Sequence, residues 1–262
     1  MLGIGNGLIY SSVVSEKIYV NSTSIDFNGT DEYAEASSYT ALSPGAGGAT
    51  GYSVSLWVYS QHSAVADMKL DRTIGKAGSS GMEWSMTVDG GGRIRFFLYF
   101  DNDVNNRYRI HVNSALALNT WYHIVFTWDA TKDTDDATAV TMYVNGTKSN
   151  SVSGATVTVG DSDSETVTPS SQKLEVARNN DGNTGHYWNG PIDEISIFDI
   201  ALDDDAVTEI YNSGTPIDMT VDTGNYDNSS NLVGYWRMGE DDTGSTITNL
   251  SSAAGATDLT LY

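Results

Sequence analysis

The sequence predicts an all-β protein, a two-sheet antiparallel β-sandwich with one short helix near residues 203–212. Three observations carry this expectation. Short segments of period-two hydrophobic alternation recur along the chain. The joints between them hold Gly, Asn and Asp, and only one stretch has the 3.6-residue period of a helix. Strands in this order, without helices between them, suit two packed sheets rather than βαβ units.

The elements follow in chain order. Residues 1–22 lack periodicity and read as an N-terminal arm suited to docking on an assembly; residues 23–262 read as one sandwich. Residues 52–59 (YSVSLWVY) set Val54, Leu56 and Val58 on one face, with Ser53, Ser55, Trp57 and Tyr59 on the other. Residues 84–88 and 94–100 flank DGGG at 89–92, a hairpin turn that tolerates positive φ. Residues 121–128 (WYHIVFTW) are apolar at nearly every position, as in a central strand covered on both faces. Residues 140–144 run into Asn145-Gly146, a dipeptide made for a type I′ hairpin. Residues 192–198 alternate Ile192, Glu194, Ser196 and Phe198 against Asp193, Ile195 and Ile197. Residues 129–139 and 159–171 are polar and aperiodic, as exposed loops are.

For the helix, Asp203 is the N-cap, and Asp204 and Asp205 complement the positive end of the dipole. Leu202, Ala206, Val207, Ile210 and Tyr211 form an apolar stripe, and Gly214 stands where a C-terminal stop belongs. About two turns cannot stand alone, so this helix must pack on the sandwich. In the tail, residues 232–238 have the pattern of an internal strand, to be paired with the region of Ile25–Phe27 or of Ile195–Ile197. Residues 258–262 close the chain.

Composition narrows the function. Hydrophobic residues make up 39% of the 262, enough for a substantial core. Lys and Arg number 13 against 34 Asp and Glu, for a formal charge of −21. That balance opposes binding to nucleic acid and to anionic lipid alike. It suits solubility in salty surroundings and leaves carboxylates for divalent cations. With no cysteine there is neither a disulfide framework nor a thiolate metal site. No apolar run approaches the roughly 18 residues that cross a bilayer. The opening MLGIGNGLIYSS is neither basic nor continuously apolar, unlike a secretory leader.

Five segments resemble the laminin-G-like, concanavalin A-like superfamily, in that family's order: residues 24–36 (SIDFNGTDEYAEA), 52–58 (YSVSLWV), 119–129 (NTWYHIVFTWD), 142–147 (MYVNGT) and 190–202 (GPIDEISIFDIAL). The resemblance covers residues 24 to about 214 and implies a concanavalin A-like jelly roll. Residues 232–240 (LVGYWRMGE) and 246–250 (TITNL) resemble the segment that usually opens such a domain. The 225–262 region is therefore either a circularly permuted strand, a truncated second repeat or an appended tail. The MLGIGNGL and YWRMGE stretches together resemble virion structural proteins of tailed, particularly marine, bacteriophages. This implies a fibre, spike or capsid decoration at the virion surface or outside the cell. Its partners would be virion proteins and cell-surface glycans.

Some members of the superfamily hydrolyse β-glucans with two carboxylates about 5 Å apart on one strand face. Under strict alternation Asp193 and Glu194 point to opposite faces, and Asp199 lies about 20 Å from Asp193. No such dyad is expected. His123 reads as a hydrogen-bonded core residue, and no nucleophile elbow or P-loop is present. The superfamily's structural calcium points by resemblance to Asn28 and Asp31 in the first turn and to Asp193 in the final strand. Residues 179–183 (NNDGN) form a second oxygen-rich loop, with the composition of an ordinary turn. Sugar binding needs aromatic faces flanked by polar groups. The exposed candidates are Trp188, Tyr187, Tyr99, Tyr108, Trp84 and Arg107, while Trp57, Trp121 and Trp128 are assigned to the core. Three roles compete: a virion binding protein, a free carbohydrate-binding module or lectin, and a degenerate glycosidase.

Overall fold

In the computed structural model, residues 19–65, 72–78, 81–103, 106–133, 136–149, 167–179, 186–240 and 242–262 are described. Expectations for residues 1–18, for most of the 159–171 loop and for residues 180–183 fall outside them. Fifteen strands are assigned among the described residues: β1 Ile25–Asn28, β2 Ala34–Ala36, β3 Gly51–Tyr59, β4 Arg72–Gly78, β5 Gly81–Val88, β6 Ile94–Tyr99, β7 Arg107–His111, β8 Trp121–Asp129, β9 Val140–Val144, β10 Thr147–Lys148, β11 Leu174–Val176, β12 Asn189–Phe198, β13 Leu232–Trp236, β14 Thr246–Ile247 and β15 Leu259–Leu261. One helix, α1, spans Asp204–Tyr211.

All pairings between these strands are antiparallel, and they make two sheets. The first runs β1-β12-β3-β8-β9-β10, with β13 also on β12; the second runs β14-β15-β2-β11-β4-β5-β6-β7. The expected all-β sandwich is the fold. Its core is the layer between the sheets. Val54, Leu56 and Val58 of β3 and Ile124 and Phe126 of β8 meet Trp84, Met86, Phe96 and Ile110 of the second sheet there. Phe96 and Phe126 stack across the layer with ring centroids 3.5 Å apart. Period two decides which side chains are inside, because one buried face fixes the register of each strand.

Local chemistry sets the joints. Asn145 and Gly146 both take positive φ, 51° and 72°, as the type I′ hairpin between β9 and β10 requires. Asp203 caps α1 by accepting the Ala206 amide at 2.8 Å. The stop differs from expectation: Asn212, not Gly214, is the left-handed cap, and Gly214 ends the next turn. The helix lays Ala206, Val207 and Ile210 on the outer face of the first sheet, against Val125, Tyr143 and Phe198. That face therefore carries a second, smaller apolar cluster, which Met219 and Tyr226 extend.

The C-terminal region contributes to both sheets. β13 pairs with β12, Ile195 opposite Trp236 and Ile197 opposite Gly234, while β15 adds to β2. Trp236 is fully buried and donates its indole N–H to the Thr257 carbonyl. Tyr33 and Tyr262 stack at 4.9 Å. β1 and β13 thus lie end to end along one edge of β12, with Asp193 and Glu194 between them.

Replacing Trp236 with Ala should cost about 3–5 kcal/mol, the usual loss for a large buried aromatic. Deleting residues 225–262 should cost at least as much, since it strips strands from both sheets. Chemical denaturation measures both. A truncated chain that stays monomeric and equally stable would show that the tail contributes nothing to the sandwich.

Candidate functional site

Strict alternation fails at one place in β12, and the site is built there. Asp193 faces Trp57 and Ser196 faces Ser55, so Glu194 and Ile195 together oppose Leu56. This is a β-bulge, with Glu194 at a φ of 48°. Ile195 stays in the core, whereas the Asp193 and Glu194 carboxylates come to the same outer side. The side-chain amide of Asn21 reaches both, at 3.1 Å to Asp193 and 3.0 Å to Glu194. The expectation of opposite faces is corrected, because a bulge adds one residue to the count that alternation relies on.

The two acids have different fates. Glu194 is fully buried and accepts hydrogen bonds from the Tyr19 and Tyr235 hydroxyls, each at 2.5 Å, and from Arg237 Nε at 3.3 Å. Arg237 in turn lies over the Tyr19 ring at 4.3 Å and bonds the Val20 carbonyl. Residues 19–23 are thereby strapped to their own sandwich; Glu240 accepts the Ser22 and Thr23 amides. Burial drives the Glu194 carboxyl above its ordinary range, against the pull of these donors. Asp193 keeps one oxygen on the Glu194 amide at 2.8 Å and turns the other toward Asn21 and a cleft. Burial, and next the Glu194 charge, push Asp193 up to about 8. At neutral pH it is mostly an uncharged carboxyl, able both to donate and to accept.

The cleft has a volume of about 350 Å³ and is lined by Asn21, Thr23, Asp193, Trp57, Trp121 and Pro216, among others. Cross-strand register explains the lining. Asp193, Trp57 and His123 form one row across β12, β3 and β8 on the outer face, and Tyr59 and Trp121 form another. Trp121 is 37% exposed, and its ring lies 5.5 Å from that of Tyr59. Trp57 is 6% exposed, and its indole N–H has no partner among the described residues. His123, which supports Trp57 at 5.0 Å, is fully buried and bonds Ser55. Burial pushes its imidazole down to about 3, so it stays neutral, the structural role expected of it.

Several sequence-predicted positions lie elsewhere. Trp188, Trp84 and Tyr108 are fully buried, and Tyr99 is 8% exposed, so none of them is an open stacking face. Alternation along their strands turns Tyr108 and Trp84 inward. Tyr108 points inward from β7 between outward Arg107 and Arg109, and Trp84 from β5 stacks on Phe96. Trp188 packs its ring against His62. Tyr187 and Arg107 are half-buried. In the other direction, Trp121, assigned to the core, is exposed because it opens β8 where the strand clears the sheet edge. Of the three calcium candidates, Asn28 pairs with Asn189 and its amide is absorbed by its own turn, bonding Thr30, Asp31 and Glu32. Asp193 lies four residues further along β12, about 13 Å away. The three do not fit a common ion, and no cluster of three His, Asp or Glu suited to a metal occurs among the described residues.

Residues 28–208 match the family model of the concanavalin A-like lectin/glucanases superfamily. The chain belongs to this family. No curated protein matches it. Among solved structures, one relative is provisionally described as a carbohydrate binding protein from Bacteroides ovatus. Its TM-score is 0.55 at 13% identity, covering 88% of this chain and 56% of that one. The chain thus spans little more than half of that protein's length. Another is the heptameric SAP-like pentraxin of Limulus polyphemus, with a TM-score of 0.50 at 13% identity over 90% and 92% of the two chains. At these identities the likeness is one of fold.

Asp193 yields a pH prediction with a definite sign. Between its unfolded value, 3.8, and about 8, the folded carboxyl holds a proton that the unfolded chain releases. Its contribution to stability is therefore complete below pH 4 and lost as pH rises through 8. Asp193→Asn should melt with the wild type near pH 4 and above it at pH 9. Identical melting curves at both pH values would show that the carboxyl is not desolvated.

Proposed function

We propose that this chain is a non-catalytic carbohydrate-binding domain, with the cleft beside Trp121 as its sugar site. The observation that carries the reading is a single cleft lined by the exposed Trp121 indole, the buried Asp193 carboxyl and the Asn21 side-chain amide. Sugar rings present an apolar C–H face and a rim of hydroxyls, and such a pairing of aromatic face and fixed polar groups matches both. Membership of a lectin and glucanase family supports the same reading.

Catalysis is opposed by the burial of Glu194. A retaining glycosidase needs two carboxyl groups in reach of the anomeric centre. Here one of the two is sealed under Tyr19, Tyr235 and Arg237. Purified protein should therefore leave laminarin and agar intact; turnover that disappears in Glu194→Gln would reverse this reading.

In the same proposal the domain is displayed at a virion surface or outside a cell, with neighbouring virion proteins and cell-surface glycans as partners. Support comes from the resemblance of residues 1–8 and 235–240 to tailed-phage virion proteins, and from a cysteine-free, acidic composition. No described helix is long and apolar enough to cross a membrane.

A glycan array followed by affinity electrophoresis tests the sugar site. Trp121→Ala should weaken binding to the preferred neutral glycan at least about tenfold, within the range for an aromatic anchor, without changing the melting temperature. Undiminished binding by this variant would place the sugar elsewhere.

A further inference from the structure

Four of the 13 basic residues of this acidic chain gather in one place. Arg72, Arg95, Arg107 and Arg109 fall on three strands of the β4-β5-β6-β7 end of the second sheet. Register puts them on its outer face. Arg95 lies between Thr87 and His111, and Phe97 lies between Ser85 and Arg109. The inward neighbours Phe96, Leu98, Tyr108 and Ile110 all belong to the core. The guanidinium groups of Arg95 and Arg107 sit 5.0 and 5.4 Å from the centre of the Phe97 ring. Between these strands runs a groove of about 250 Å³, into which Arg72, Arg95, Arg107, Ser85, Thr87 and Tyr99 face.

The charge in this groove is largely uncompensated. Arg72 is paired with Glu175 at 3.7 Å, and Asp89 answers Arg93 and His111 at the hairpin end of the face. Among the described residues, neither Arg95 nor Arg107 has a carboxylate within ion-pair reach. The hydrogen-bond partner of Arg95 among the described residues is a neutral hydroxyl, that of Thr87, at 2.8 Å. Burial is the main cause that depresses the Arg95 guanidinium; the Arg109 and Arg107 charges add to it, while Asp89 pulls the other way. Stacking on Phe97 holds the two planar forks in place, so their N–H groups are oriented before any ligand arrives.

We infer that this groove is a second ligand site, for a sugar unit bearing a carboxylate or sulfate group. A planar or tetrahedral oxyanion matches the donor fork of arginine, and Ser85 and Thr87 supply neutral hydroxyl groups for the rest of a sugar ring. The groove admits one such unit rather than a polymer backbone. A net charge of −21 repels a duplex whose phosphates extend past the patch. The site lies on the opposite sheet from the Trp121 cleft and rests on no part of that reading.

The test uses the full chain with alginate, a polyuronate, and a sulfated galactan as probes. Laminarin and a short duplex DNA are the controls, all at low ionic strength. One or both anionic polysaccharides should bind. The double variant Arg95→Gln/Arg107→Gln should weaken that binding about tenfold or more, and Arg107→Gln alone by a smaller factor, as expected for charged hydrogen bonds. Trp121→Ala should leave it unchanged. Added salt should weaken it in the wild type more than in the double variant. Circular dichroism confirms that the variants fold, and Arg107→Gln, which breaks no ion pair, serves if the double variant does not. Failure of both polysaccharides to bind, or equal binding by folded variants, would overturn the inference. So would duplex DNA binding as tightly through the same arginines.

Discussion

One extra residue in β12 organises the outer face of the first sheet. A regular strand would point Glu194 into the apolar layer between the sheets, where an isolated carboxylate costs several kcal/mol. The bulge turns it outward, to a site still dry but furnished with two tyrosine hydroxyls, an arginine and an amide. Those donors come from the residues before β1 and from β13 and the residue after it. Two distant parts of the chain are thus held to one buried acid. Asp193, just before the bulge, lines the cleft directly across from Trp57.

Much of this was written plainly in the sequence. The two-residue periods of β3 and β9, the Asn145-Gly146 turn and the Asp203 cap each act locally, so each can be read without the fold. That the tail would pair within the sandwich, beside either Ile25–Phe27 or Ile195–Ile197, was also foreseeable, because an apolar strand must find an edge; the second is its partner. What could not be read was the register slip at Glu194. Nothing in IDEISIF distinguishes seven regular residues from seven with a bulge, since the cause lies in Tyr235 and Arg237, some forty residues away. Misplacing that one residue separated Asp193 from Glu194 and hid the cleft.

The aromatic residues tell a similar story. Trp188 and Tyr108 stand in polar stretches and suggest exposure, yet neighbouring strands cover them. Trp121 stands in the most apolar stretch and suggests burial, yet it opens its strand at the sheet margin. For Tyr108 a signal existed: RYRIH alternates cleanly and would have placed Arg107 and Arg109 together on one face. That alternation marks both the core tyrosine and the arginine face.

The fold therefore carries two outer surfaces of contrasting chemistry. The first sheet presents an indole and a buried carboxyl beside a strap formed by residues 19–23. The second presents guanidinium groups on a phenylalanine. A crystal structure of the protein with its preferred neutral oligosaccharide tests the account most directly. It should show a sugar ring against Trp121 with a hydroxyl group on Asp193 and Glu194 still bonded to Tyr19, Tyr235 and Arg237. A sugar bound away from this cleft, or one reaching Glu194 after the strap has left it, would contradict the account.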